Sequence, residues 1–382
     1  MIYLDNCATT KPREEVINSI QKFSKDYFAN PSSLHNLGMK VEEMVDESRK
    51  IVSKFLGASS SEIYFTSGGT ESDNIFINGA IDRNKHFGNK IITTKLEHSA
   101  VLNVFKEYEK KGFEVCYLNS NEWGEVDLDE LQKEVDGNTI LVSIMHVNNE
   151  LGTINDIKKC AEIIKNKNKN TIFHSDGVQA FGKIPVNVKE LGVDGYSISG
   201  HKIHALKGIG VLYIKKDLKL KPLVFGGDQE NGLRSGTENT LGIFSLKTAV
   251  EILNKNFSFE LEHKRKLRDR IVSLIDDKIE NYEINTPLDN SANSILNVSF
   301  PETRGEVILH FLERDEIYIS TASACSSNHK VKTVLEKIGK DKNISEGSIK
   351  ICVSYENTLE EMNYFVDKLK YAVEEIRDLT MR

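Results

Sequence analysis

Between residues 35 and about 255 the chain alternates short β-branched runs with segments of helical periodicity. This alternation constrains the fold most, because a strand, a crossover helix and a second parallel strand together cover both faces of a sheet. The strand candidates are Glu62 to Phe65, Lys90 to Thr93, Glu114 to Leu118, Thr139 to Met145, Thr171 to Ser175, Gly195 to Ser199 and Ile209 to Ile214. Between them lie helices such as Val41 to Leu56, whose Val41, Met44, Val45, Ile51, Val52, Phe55 and Leu56 fall on one face. After a charged helical stretch over 258–276 the pattern changes to a strand at Ser294 to Phe300, a helix at Arg304 to Arg314, a short strand near Ile317 and a strand at Ile349 to Ser354. A last helix over 358–379 aligns Leu359, Met362, Val366, Leu369, Val373 and Ile376. The expected fold is α/β: a large domain over 14–257 with a mostly parallel seven-stranded sheet flanked by helices, and a smaller α+β domain from 1–13 and 258–382.

With 382 residues, 39% of them hydrophobic, the chain can bury a sizeable core. Its 50 basic and 57 acidic residues leave a formal charge of −7, which disfavours a general nucleic-acid or membrane-surface binder and favours a small-molecule or protein substrate. No stretch approaches the roughly 18 apolar residues of a membrane span, and Met1-Ile2-Tyr3-Leu4-Asp5 does not read as a leader. A cytoplasmic protein is expected. Cys7, Cys116, Cys160, Cys325 and Cys352 are scattered without a Cys-x-x-Cys pair, so they are expected to be thiols, with no metal site.

Clusters with chemical potential fall at the strand ends. Ser67-Gly68-Gly69-Thr70 leaves one strand and opens a helix, where backbone N–H groups and the helix dipole suit a phosphate and Thr70 adds a hydroxyl. Alone, such a segment is more often just a tight turn. Asp176 ends another strand with Gln179 three residues on, a place where an acid can pair with a protonated pyridine nitrogen or simply cap a helix. Ser199-Gly200-His201-Lys202 ends the next, and its lysine suits an amine held near a carbonyl cofactor, although most lysines are only surface charge. Glu97-His98 offers an imidazole at the same edge, able to stack on a planar ring and shuttle protons or merely to cap a helix. In the second domain, the small residues of Ser320 to Ser327 present Cys325, a candidate nucleophile if it is exposed and ionised. The phosphate turn, the aspartate and the lysine occur in order, each at an end of one sheet. Together they outweigh their separate bland readings.

These segments resemble, in order and nearly end to end, the cysteine desulfurases of the class V aminotransferase group, fold-type-I pyridoxal-phosphate enzymes. The resemblance runs through Tyr3-Leu4-Asp5-Asn6 with Thr9-Thr10, Asn30-Pro31-Ser32-Ser33 with His35 and Gly38, and Phe65 to Glu71 with Asp73-Asn74. It continues through Glu97-His98, Val147-Asn148-Asn149-Glu150 with Gly152, Asp176 with Gln179, Gly182-Lys183, and Ser199 with His201-Lys202. Gly226-Gly227 with Gln229-Glu230, Arg234-Ser235-Gly236-Thr237-Glu238-Asn239 and Ser323-Ala324-Cys325-Ser326-Ser327 complete it.

The resemblance implies that Lys202 carries pyridoxal 5'-phosphate and moves the substrate's Cα proton. It implies that Asp176 protonates the ring nitrogen, Gln179 bonds the ring hydroxyl and His98 stacks over the ring. Gly69, Thr70, Ser199 and His201 would hold the phosphate, with Thr237 from the other subunit of a homodimer, and Asn148 would lie near the ring hydroxyl and substrate carboxylate. The implied reaction takes sulfur from L-cysteine, leaving L-alanine and a persulfide on Cys325 for an acceptor protein such as an iron-sulfur scaffold or a tRNA-thiolation protein.

Several positions depart from the family. Lys350 stands where an arginine grips the substrate carboxylate; it keeps the charge without the bidentate fork. Cys7 replaces an alanine, Ala205-Leu206 a Gly-Pro pair and Ala322 a glycine. Cys352, just beyond Lys350, is expected on the opposite strand face and in the core. These departures keep open a selenocysteine lyase or another β-eliminating enzyme with the same cofactor. A non-catalytic dimeric scaffold is the alternative from another class.

Overall fold

Seven short runs, most of them buried along their whole length, supply the strands of the main sheet in a computed structural model that describes residues 1–321 and 332–380. In chain order the strands are β1 (Ile2–Tyr3), β2 (Ile63–Thr66), β3 (Lys90–Thr94), β4 (Glu114–Leu118), β5 (Thr139–Ser143), β6 (Ile172–Asp176), β7 (Gly195–Ser199) and β8 (Gly210–Ile214). The second half adds β9 (Glu283–Ile284), β10 (Ile295–Ser299), β11 (Ile317–Tyr318) and β12 (Ser348–Cys352). β2 to β8 form one sheet in the order β2-β8-β7-β6-β5-β3-β4. Only β8 runs against its neighbours. The expected strands all appear, displaced by two residues at most, because runs buried on both faces leave little choice of register.

Apolar clusters cover both faces of this sheet. One contains Phe173, Ile198, Val211 and Leu246, and the other Phe76, Phe105, Leu141 and Leu212. A third core packs Leu267, Ile271, Leu296, Ile351, Phe365 and Leu369 around the three-stranded antiparallel sheet β12-β10-β9. The helix Thr240–Lys278 serves both regions without a break: Leu246 and Val250 join the first core, Leu267 and Ile271 the third. It passes through 257/258, the expected boundary between the two domains. The N-terminal segment also bridges the two: β1 pairs with β11 and Asp5 bridges to Cys352, while Thr10 N–H donates to the His201 carbonyl at 3.0 Å. Among the described residues no helix is long and apolar enough to cross a membrane.

Close packing at the edge of the sheet explains one glycine. A Cβ on Gly210 in β8 would lie 2.5 Å from the Cα of Gly68 in the turn after β2, and neither backbone can give way. Gly210→Ala is therefore expected to lower the melting temperature through overpacking worth about 1–3 kcal/mol. Gly137→Ala, whose added methyl group meets nothing within 4 Å, should leave it unchanged. Equal melting temperatures for the two variants in calorimetry would contradict this packing.

Candidate active site

In an open α/β sheet, ligands bind where the carboxyl ends of the strands leave a crevice. Here that edge is a cleft of about 450 Å³ lined from both halves of the chain. Gly69 and Thr70 come from the turn after β2, His98 from beyond β3, Met145, Val147, Asn149 and Glu150 from beyond β5, and Asp176, Val178 and Gln179 from β6 onward. Ser199, His201 and Lys202 follow β7, while Asp5, Cys7 and Ala8 come from the N-terminus and Ser320, Thr321 and Lys350 from the small sheet region.

One corner suits a phosphate. Gly68 caps the 16-residue helix Gly69–Asn84 with φ 158°, a backbone shape disfavoured by side chains, and the helix N-terminus opens beside Thr70. Ser199 lies against this turn: its Oγ is 3.7 Å from where a Gly68 Cβ would stand. His201 Nδ1 is 3.1 Å from Thr9 Oγ1, and its carbonyl accepts from Thr10 N–H at 3.0 Å and Thr10 Oγ1 at 2.9 Å. Burial, then the positive charges of Lys202, Lys207 and Lys183, hold the His201 imidazole down to about 4, so it is neutral at pH 7.

Lys202 sits in the 3₁₀ turn after β7 and donates from Nζ to the carbonyls of Cys7 at 2.5 Å and Ala8 at 2.8 Å. Burial is the main cause that lowers its pKa to about 8, and the Lys183 ammonium adds to it. The amine is thus poised to lose its proton near neutrality, as a nucleophilic lysine must.

Opposite lies an acidic wall. Asp176 ends β6, accepts Val178 N–H at 2.9 Å on Oδ1 and lines the cleft. Burial raises its pKa, tempered by that N–H and by His98 and Lys202. Behind it, Asp73 has no hydrogen-bond partner for Oδ1, and burial together with the charge of Asp176 pushes it well up. Glu97 accepts from Thr94 Oγ1 at 2.9 Å and Met145 N–H at 2.8 Å; burial raises it to about 8. These buried acids, with no lysine or arginine hydrogen-bonded to them among the described residues, suit a ligand that brings a positive N–H to Asp176. A pyridinium ring is such a ligand.

The other sequence candidates are distributed unevenly. His98 lines the cleft and also N-caps the helix Ser99–Lys110, its Nδ1 accepting Ala100 N–H at 3.2 Å, so a capping role and a place at the cleft coexist in this residue. Gln179 donates to the Cys7 carbonyl at 3.0 Å and accepts from Lys183 Nζ. Asn148 is buried behind the wall: its Oδ1 accepts Glu150 and Leu151 N–H at 2.9 Å, and it is not among the residues lining the cleft. Thr237 is exposed and does not line the cleft of its own chain. Cys325 lies outside the described residues.

Lys350 lines the cleft and is buried in an ion pair with Glu150 Oε1 at 3.0 Å, which raises its pKa although burial opposes this. The position of Cys352 corrects an expectation, since residues two apart on a strand share a face. Cys352 is buried as expected, on the Lys350 side and beside Cys7. Ala205 and Leu206 follow the Lys202 turn without lining the cleft, Leu206 N–H donating to Ser245 Oγ at 3.2 Å. Sequence reasoning gave no role to Cys7, Asp73 or Glu150. Their signal lies in pairings across the chain, which no local pattern displays.

The class-V aminotransferase family matches residues 2–365. A cysteine desulfurase IscS of Dictyoglomus turgidum is 42% identical, over 99% of this chain and 96% of its own. A solved NifS-like protein superposes with a TM-score of 0.93 at 40% identity, covering 98% of this chain and 99% of its own. The structure described as SspA in complex with cysteine superposes with a TM-score of 0.83 at 32% identity, over 93% of this chain and 99% of its own. The chain belongs to the class-V aminotransferase family.

Proposed function

We propose that the protein is a pyridoxal-phosphate-dependent cysteine desulfurase, releasing L-alanine from L-cysteine and holding the sulfur as a persulfide on Cys325. The observation that carries this reading is a lysine amine of lowered pKa, Lys202, sharing one cleft with the Gly69-Thr70 helix start and the buried Asp176. Relatives named cysteine desulfurase, near 40% identical over nearly the whole chain, support it. Enzymes of the family use pyridoxal phosphate, and the cleft's donors and acids suit that group. When bound, it supplies an electron sink that acidifies the amino acid's Cα and weakens the Cβ–S bond.

The protein's part is positioning and proton handling. The N–H groups at Gly69 and Thr70, the Thr70 and Ser199 hydroxyls and neutral His201 bind the phosphate, and Thr237 reaches it from a second copy in a homodimer. The exposed Phe225 and Leu223, near Thr237 in sequence, suit such a contact. Asp176 keeps the proton on the ring nitrogen. His98 covers the ring face, and Gln179 and Asn148 serve the ring hydroxyl. Lys202 anchors the group and then moves the Cα proton. Lys350 holds the substrate carboxylate, aided by Asn148.

Cys325, on the unit formed by 1–13 and 258–382, attacks the substrate sulfur as thiolate. The S–Cβ bond breaks, its electrons stay with the three-carbon fragment, and the sulfur remains on Cys325. An acceptor protein, such as an iron-sulfur scaffold or a tRNA-thiolation protein, then receives it in the cytoplasm.

Removing the nucleophile tests the reading directly. Cys325→Ala should lower alanine formation from L-cysteine by more than about 10³-fold. Turnover that survives it would sink the persulfide route and favour selenide or simple elimination chemistry, for which L-selenocysteine is the comparison substrate.

The Lys202 pKa gives a pH test. Because burial disfavours the ammonium, half of the reactive amine is neutral at about pH 8 and nearly all of it about one pH unit higher. Uptake of pyridoxal phosphate by the apoprotein, followed by visible absorbance, should accelerate with pH and level off there. A rate still climbing to about pH 10, where an ordinary lysine titrates, would contradict the assignment.

Lys350→Met should raise KM for L-cysteine roughly 10- to 150-fold, the loss of a charge-assisted hydrogen bond of about 1.5–3 kcal/mol. Lys350→Arg should lower it by restoring the fork. One KM for all three enzymes would remove Lys350 from the substrate site.

A further inference from the structure

Two thiols that the proposed reaction does not use face each other at the floor of the cleft. Cys7 lines it and Cys352 lies behind, both buried, and each is among the groups that shift the other's ionisation. The segment just before Cys7 is bonded to Cys352: Cys352 N–H donates to Leu4 O at 2.6 Å, Asp5 bridges to it, and Asn6 donates to Cys352 O from its backbone N–H at 3.3 Å and its Nδ2 at 2.8 Å. Cys7 thus lies one residue beyond Asn6 and two beyond the Asp5 bridge, which keeps the two thiols in one neighbourhood.

The surroundings make the two thiols unequal. Burial works against ionising Cys7, but the Cys352 hydrogen bond and the charges of Lys183, Lys350 and Lys202 overcome it and hold Cys7 below the ordinary thiol range. Lys183 Nζ stands 4.0 Å from Cys7 Sγ. Cys352 is pushed well up, by burial first and then by Cys7 itself. A thiolate facing a cleft with a protonated thiol behind it is the arrangement of an attacking and a resolving cysteine.

We propose that Cys7 and Cys352 form a dithiol site that a hydroperoxide entering the cleft converts into an intramolecular disulfide. The Cys7 thiolate attacks the terminal peroxide oxygen, the O–O bond breaks, and the leaving alkoxide or hydroxide takes a proton. Cys7 is then a sulfenic acid. Cys352 attacks its sulfur, the S–O bond breaks, and hydroxide leaves as water with the Cys352 proton as the S–S bond forms. The two thiols give up two electrons and two protons, and the hydroperoxide is reduced to water and its alcohol, or to two waters for hydrogen peroxide.

The site also touches the catalytic machinery. The Cys7 carbonyl accepts from Lys202 Nζ and from Gln179 Nε2, so any movement of Cys7 on cross-linking is felt at the amine. Neither of the other described cysteines has this setting. Burial raises Cys160 and Cys116 to about 12, and no cysteine is among the groups that shift them.

The test is peptide mapping of the purified holoenzyme after brief exposure to hydrogen peroxide, with free thiols alkylated in denaturant and the digest left unreduced. The expected product is one peptide pair joined through Cys7 and Cys352, reversed by dithiothreitol, with Cys116 and Cys160 still alkylated. Cys352→Ser should give instead a Cys7 sulfenic acid captured by a cyclic 1,3-dione, and Cys7→Ala should leave Cys352 alkylatable. If either variant fails to fold, the wild-type map alone decides. Cys7 and Cys352 both alkylated after peroxide treatment, or Cys7 paired with a different cysteine, would overturn the proposal.

Discussion

A lysine amine that loses its proton near pH 8 must be kept from water and left without a carboxylate hydrogen-bonded to it, and this protein is arranged around that requirement. Lys202 is held by two carbonyl oxygens, those of Cys7 and Ala8, rather than by a carboxylate. Carbonyls satisfy its hydrogen bonds without adding the full negative charge that would raise its pKa. The segment that offers them is a turn with no helix or long strand of its own to hold it. It is fixed by pairing with β11 and β12, by Asn6 and by the Thr10 bonds to His201. The small sheet region thereby supports the chemistry of the large one.

Much of this was legible in the sequence because it is local. A buried strand ending in Asp176 or in Ser199 must deliver that residue to the carboxyl edge, whatever else the chain does. A sheet built of such strands then brings the turn at Gly68, Asp176 and Lys202 together by topology alone. His98 was ambiguous for a physical reason: an imidazole can cap a helix through Nδ1 while its ring faces a cleft, so the two readings were never exclusive.

What sequence could not display are partnerships between distant residues. Glu150 and Lys350 lie 200 positions apart, and Lys183 reaches Cys7 across 176. No periodicity links them. Asp73 sits inside a helix whose pattern reads as ordinary packing, yet burial and the charge of Asp176 push its carboxyl well up and make it part of an acidic wall. Asn148 has a task that no local pattern displays: its amide oxygen accepts two backbone N–H groups, which set the turn carrying Glu150. In this arrangement its first task is to shape the wall on which the substrate would lie.

The Glu150–Lys350 pair bears most on what the cleft accepts. Two buried charges at 3.0 Å stabilise each other, but desolvation offsets much of that gain, and Glu150 Oε2 is left without a partner. Lys350 therefore meets an incoming carboxylate with its charge already partly answered. An arginine in its place could keep one edge on Glu150 and offer another to the substrate; an ammonium has no second edge and must share its three protons. Holding a substrate at Cα then falls more heavily on the groups around Lys350: the Asn148 turn and Ser320. Selectivity in this chain is accordingly a property of that whole floor of the cleft, while the cofactor chemistry depends on Lys202 and the strand ends beside it.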